Sequence, residues 1–274
     1  MLSQYLCDEI HRGIVVTSTD DIIVRRKTTT AIMVQSINLK ALTTLASVVR
    51  RPYLAAPHVA VSTVSEVNYQ ALRDHCNIKA VIFDKDNTLT APYVNSIHPN
   101  AHSGLQSALD VFGSKNVAIL SNSAGTDDDV GHEDARSIEE RLGIAVILHK
   151  EKKPGGLEEV MLHFPNVKEP SELCMVGDRL LTDVVFGNLH GMLTVHTLPL
   201  CSGEDNKGDN KIASWIRRAE NKLMYGNWWG GRKIRENTLQ HKWWRGEDEC
   251  PLVIATRSEE LLGSLLGEEK NDEL

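Results

Sequence analysis

The sequence predicts an α/β fold, a three-layer sandwich with helices on both faces of a parallel sheet. Two patterns carry this expectation. After Val64, short β-rich runs alternate with longer segments of mixed polar and apolar residues, the mark of successive βαβ units. The strongest run, Lys79-Ala-Val-Ile-Phe83, ends in carboxylates, and the C-terminal ends of parallel strands are where α/β sheets place ligands. Composition agrees: of 274 residues, 41% are hydrophobic and 24% charged, which excludes wholesale disorder and fibrous architectures. No stretch reaches the roughly 18–20 apolar residues of a spanning helix, so any membrane association is expected to be peripheral.

Taken in order, residues 1–35 read as an N-terminal extension. From Ile22 to Ser65 there is no Asp or Glu, while Arg25, Arg26, Lys27, Lys40, Arg50 and Arg51 are basic and Ser and Thr abound. That is the composition of an import signal, although Asp8, Glu9, Asp20 and Asp21 precede it, and Met33 is an alternative start. In segment 36–64, Ile37, Ala41, Leu45 and Val48 recur at helical spacing before Arg50, Arg51 and Pro52, predicting an amphipathic helix. Such a helix either packs on the protein's own core or lies on an anionic membrane surface.

The α/β domain is expected over 65–200. Strands are predicted near residues 80–83, 117–120, 145–148, 173–176 and 193–196. Helices are predicted near 66–75, 101–112, 133–142, 156–164 and 180–190. Residues 201–274 differ: all five Trp fall there, and between Lys211 and Arg245 nine Lys and Arg face only Glu220 and Glu236. The segment reads as a terminal subdomain with solvated basic residues, as an interfacial membrane patch or as a single-stranded nucleic-acid surface. An acidic tail follows. Its ending, Asn-Asp-Glu-Leu274, resembles a retrieval signal but is read as coincidence, since no signal peptide precedes it and no Asn-x-Ser/Thr acceptor occurs. The five cysteines contain no CxxC pair, and the net charge of -7 argues against nucleic-acid affinity of the whole chain.

Chemistry concentrates at the strand ends. The first run continues as Asp84-Lys-Asp86-Asn-Thr88-Leu89, where one carboxylate can act as nucleophile and the other as acid and base. Val117-Ala-Ile-Leu120 runs into Ser121-Asn122-Ser-Ala-Gly125, a hydroxyl, an amide and backbone donors that suit a phosphate. Lys153-Pro-Gly opens a helix. Val176-Gly-Asp178-Arg-Leu-Leu-Thr-Asp183 adds two carboxylates able to hold a hard Mg²⁺ ion.

In this order these four pieces resemble the haloacid dehalogenase superfamily, over about residues 79–198. The resemblance implies Asp84 as nucleophile, Asp86 as acid and base, and Ser121 and Lys153 as catalytic phosphate contacts with Asn122 beside them. It implies Mg²⁺ held by Asp84, Asp86, Asp178 and Asp183. A carboxylate at position 86 implies a phosphatase rather than a dehalogenase. The intervals from Asp84 to Ser121 and from Ser121 to Lys153 leave no room for a large cap domain, so a capless, open site is expected.

More narrowly, Asn38-Leu-Lys-Ala-Leu, Arg50-Arg-Pro, Phe83-Asp-Lys-Asp-Asn-Thr-Leu-Thr-Ala-Pro and Gly177-Asp-Arg-Leu-Leu-Thr-Asp resemble the mitochondrial phosphatidylglycerophosphatase family. This implies a phospholipid substrate, phosphatidylglycerophosphate, converted to phosphatidylglycerol for cardiolipin synthesis. It also implies a peripheral location on the matrix side of the mitochondrial inner membrane, an anionic membrane surface as partner and no nucleic acid. A soluble phosphatase acting on a phosphoprotein, a nucleic-acid end or a small metabolite is the alternative enzyme. A non-catalytic lipid-binding scaffold is the alternative from another class.

Overall fold

The computed structural model describes residues 48, 50–201, 211–226, 229–244 and 252–254. By compactness the chain divides into Met1–Ile37 and Asn38–Leu274, and the described residues all belong to the second unit. The N-terminal extension, residues 36–47 and 49 of the amphipathic segment, the acidic tail and the Asn-Asp-Glu-Leu ending lie outside them. Val48 and Arg50 are helical.

Six strands form one sheet: β1 (Val59–Val61), β2 (Ala80–Phe83), β3 (Val117–Ile119), β4 (Ala145–Val146), β5 (Leu173–Gly177) and β6 (Leu193–Thr197). All pairings are parallel, in the order β1-β6-β5-β2-β3-β4. The helices are α1 (Tyr69–Cys76), α2 (Pro99–Phe112), α3 (Glu133–Leu142), α4 (Leu157–His163), α5 (Val185–His190), α6 (Lys211–Tyr225) and α7 (Trp229–Glu236). A wide helical turn, Leu180–Val184, leads into α5.

Side-chain alternation along β2 builds the two faces. Val81 and Phe83 enter a core with Leu72 of α1, Leu105 and Ala108 of α2 and Ile138 of α3. Ala80 and Ile82 point the other way, to Val160 of α4 and Phe186 of α5. Every residue of β2 and β5 is buried, as expected of central strands covered on both sides. A third cluster joins Ala55 and Ala56 to Leu180, Val184 and Val185 and to Met224 and Tyr225 of α6, with Val48 packed against it.

The α/β expectation holds, with one strand more than the five predicted. Val59-Ala-Val61 was too short to stand out as a strand. It pairs at the sheet edge with β6, Val59 opposite Val195, so the sheet begins inside segment 36–64. From β2 the chain proceeds outward to β3 and β4, then crosses back to β5 and β6 on the other side. The reversal places a crevice between the ends of β2 and β5. Among the described residues, neither the β2–β3 nor the β3–β4 connection holds an inserted cap domain.

Candidate active site

Backbone pairing carries the sheet one residue past β2. Asp84 N donates to Val176 O (2.8 Å) and Leu120 N donates to Phe83 O (2.9 Å), which sets Asp84 between the ends of β5 and β3. Lys153 arrives from the loop before α4, its backbone N donating to Asn122 Oδ1 at 2.8 Å. Its buried ammonium lies 2.7 Å from Asp84 Oδ1 and 2.6 Å from Asp183 Oδ1. Burial alone would lower the Lys153 pKa, but Asp183 and Asp84 outweigh it and hold the ammonium above its ordinary value.

Asp178, at the end of β5, is buried with its Oδ2 2.8 Å from Arg217 Nε of α6. Burial raises its pKa well above the carboxylate range. Arg217 opposes that rise, and the charges of Asp84 and Asp183 add to it. Asp183 sits in the turn before α5, where its Oδ2 accepts from Arg179 N at 3.1 Å. Burial raises its pKa and Lys153 counteracts.

Asp84, Asp178 and Asp183 each bring one carboxylate oxygen within 4.8 Å of the others. Oxygens around an octahedral Mg²⁺ at about 2.1 Å lie roughly 3–4 Å apart, so this hard-donor set, with Asp178 and Asp183 buried and Asp84 partly so, is compatible with one such ion. With all groups charged, three carboxylates against Lys153 and Arg217 leave one net negative charge, which a divalent cation would invert in favour of a phosphate.

Asp86 is held elsewhere. Its Oδ1 lies 2.5 Å from Lys85 Nζ and accepts from Tyr93 N at 2.9 Å. The cause is Lys85: its ammonium is buried in the turn, also reaching Val94 O at 3.2 Å, and requires a counter-ion. Asp86 therefore stands beside the three-carboxylate group rather than in it.

Ser121 is buried at the end of β3, its Oγ 3.1 Å from Ser123 Oγ and accepting weakly from Ser123 N and Ala124 N. Asp129 fastens the rest of this loop. Its oxygens accept from Gly125 N, Asp134 N and Ala135 N, and these three donors, against the opposing effect of burial, hold its carboxyl below the usual range. Asn122, expected as a phosphate donor, has its carbonyl oxygen committed to the Lys153 backbone.

Sequence reading missed the α6 contributions. Arg217, Glu220, Asn221 and Met224 are buried at i, i+3, i+4 and i+7, one face of the helix. The signal lies in the polar residues on the stripe that packs inward, but a run of basic residues suits a solvated subdomain, a membrane patch or a nucleic-acid surface and does not single out a buried arginine. Of the tryptophans, Trp244 is buried in the larger core and Trp243 is 43% exposed beneath the Lys242 ammonium. Among the described residues, no helix is long and apolar enough to cross a membrane.

A family described as mitochondrial PGP phosphatase matches residues 39–200, a span that contains the six strands and Asp84, Asp86, Ser121, Asn122, Lys153, Asp178 and Asp183. The chain belongs to the mitochondrial PGP phosphatase family. Its match to the phosphatidylglycerophosphate phosphatase 1 named chloroplastic/mitochondrial from Arabidopsis thaliana is 42% identical over 193 residues, 69% of this chain and 53% of that protein. To the chloroplastic phosphatidylglycerophosphate phosphatase 1 of Chlamydomonas reinhardtii it is 45% identical over 154 residues, 55% and 56% of the two chains. To the mitochondrial phosphatidylglycerophosphatase of Saccharomyces cerevisiae it is 34% identical over 143 residues, 51% and 76%. The chain spans about half the length of the plant and algal relatives. No solved structure matches it. Arg217 and the rest of α6 lie beyond the span that the mitochondrial PGP phosphatase family matches.

Proposed function

We propose that the chain is a Mg²⁺-dependent phosphatase that removes the terminal phosphate of phosphatidylglycerophosphate, giving phosphatidylglycerol, through an aspartyl-phosphate on Asp84. The observation that carries this reading is the Lys153 ammonium held between Asp84 and Asp183 beside buried Asp178, in a chain of this family. An uncapped crevice at the reversal of the sheet suits a headgroup presented at a lipid surface.

A carboxylate oxygen of Asp84 attacks the phosphorus in line while the bond to the glycerol oxygen breaks, and Asp86 gives that oxygen its proton. Asp86 then takes a proton from water, whose oxygen attacks the phosphorus and releases Asp84 and inorganic phosphate. Lys153 and the Ser121 hydroxyl offset charge on the equatorial oxygens, and fixed positions supply most of the acceleration. Asp84, Asp178 and Asp183 would hold Mg²⁺, which when bound supplies further neutralisation of the transferring group. Asn122 keeps Lys153 in place. The acid-free N-terminal stretch and the relatives named mitochondrial support action at the mitochondrial inner membrane, peripherally on the matrix side, in cardiolipin synthesis.

Phosphate release from phosphatidylglycerophosphate in mixed micelles with Mg²⁺, compared with Asp84→Asn and with a soluble aryl phosphate, tests the reading. Lipid turnover abolished by Asp84→Asn and by chelation is the expected result. Turnover of the aryl phosphate alone would replace the lipid substrate with a soluble one. Silence on both would leave a scaffold on a phosphatase fold.

A further inference from the structure

The inward face of α6 closes on the loop that carries Asp178 and Asp183. Arg217 Nε lies 2.8 Å from Asp178 Oδ2, with side-chain exposures of 8% and 1%. One turn later Glu220 Oε2 accepts from Leu180 N at 3.1 Å, and its other oxygen lies 3.8 Å from Arg179 Nη2. At the end of the helix the Tyr225 hydroxyl is 3.0 Å from His196 Nδ1, and His196 Nε2 is 3.2 Å from Asp178 O. A carbonyl only accepts, so Nε2 carries the proton and Nδ1 accepts from Tyr225. One helix thus engages the carboxylate of Asp178 directly and its backbone carbonyl through His196.

A buried ion pair contributes little over well-packed apolar side chains, so stability alone gives no reason for an arginine at this point of the inward stripe. Its geometry gives one. A guanidinium is permanently charged, and its ion pair with Oδ2 draws that oxygen of the Asp178 carboxylate toward α6. We propose that Arg217 is a positioning residue: by holding Asp178 Oδ2 it presents the other oxygen of that carboxylate to a divalent cation shared with Asp84 and Asp183. The inference rests on reading those three carboxylates as a metal site. It makes α6, outside the family span, part of the catalytic apparatus.

Two effects oppose each other when Arg217 is replaced. Losing its charge would strengthen attraction of a cation to Asp178, whereas losing its grip would free the carboxylate to rotate. Positioning requires the second to win. Mg²⁺ binding to the full-length protein, measured by calorimetry without substrate, separates them. Arg217→Gln is expected to weaken Mg²⁺ about tenfold, the scale of changes one layer behind a metal ligand. Arg217→Lys, which keeps the charge but places it on a differently shaped and differently reaching group, should recover part of that affinity while remaining weaker than wild type, and Arg218→Gln, exposed on the same helix, should match wild type. Unchanged or tighter Mg²⁺ binding in either folded Arg217 variant overturns the proposal, and Arg217→Lys decides it if Arg217→Gln does not fold. A wild-type protein that binds no Mg²⁺ overturns the metal-site reading and the proposal together, whereas normal wild-type binding matched by the variants overturns the proposal alone.

Discussion

The Lys153 ammonium, itself closed from solvent, is 2.7 Å from the carboxylate of Asp84, a partly exposed partner 69 positions away in sequence. The end of β2 supplies one side of it and the loop before α4 the other, so the pair forms only when both are in place. Lys153→Met keeps the stem and removes the charge. Phosphate release should fall about 10²–10³-fold, as when one oxyanion donor is lost. The Tm should fall as well, because Asp84 and Asp183 then face each other without the intervening cation. A steady-state assay and a thermal melt of the same preparation check both.

Asp86 is fastened to Lys85 and to the backbone of Tyr93, apart from the three-carboxylate group, and the proposed mechanism makes it the acid and base. Asp86→Asn should lower turnover of an alkyl phosphate by about 10²–10⁴-fold, the usual contribution of an acid or base. An aryl phosphate leaves without protonation, so with that substrate Asp86→Asn should still phosphorylate Asp84 and then stall. The check is a rapid-quench burst of one aryl alcohol released per chain, with one phosphoryl group left on the protein, absent from Asp84→Asn.

The central strands and the identity of the motif residues were legible because they sit in continuous apolar runs that end in polar side chains. What the spacing could not show is which carboxylates share a point in space. Asp84 and Asp86 look equivalent as neighbours in a motif, yet the turn after Phe83 hands Asp86 to buried Lys85. Arg217 was hidden for a different reason. Its partner, Asp178, lies on another element, and a basic residue among many basic residues carries no mark of burial except its place on the helix face. Val59–Val61 went unseen because a three-residue edge strand presents too little periodicity.

Gly177 sits where β5 meets Asp183. A Cβ there would lie 2.3 Å from Asp183 Oδ2 and 2.4 Å from its Cγ, closer than any real contact. Gly177→Ala must therefore displace the carboxylate that meets Lys153. Misplacing one reacting-site group by about an ångström is enough for a hundredfold loss. Activity should fall by about that factor, and a far-ultraviolet spectrum matching wild type would show that the site, not the sheet, has moved.

His58 ties the edge of the sheet to the C-terminal segment. Its Nδ1 is 2.7 Å from Thr194 Oγ1, and its ring stands edge-on to His241 and Trp244. Burial, reinforced by the neighbouring His241, pulls its pKa from 6.5 down to about 3, so it is neutral in the folded protein at neutral pH. The stabilisation that goes with the lowered pKa is fully present above pH 6.5. It is lost progressively as pH falls from 6.5 toward 3, where the unfolded chain binds a proton that the folded one refuses. Urea unfolding of wild type should lose stability over that window. His58→Gln, although less stable at pH 7, should lose it less steeply, by up to about 1.4 kcal/mol per pH unit. Parallel pH profiles for the two proteins would remove His58 from the account of acid sensitivity and leave it to other buried histidines such as His196, whose pKa burial lowers to about 4.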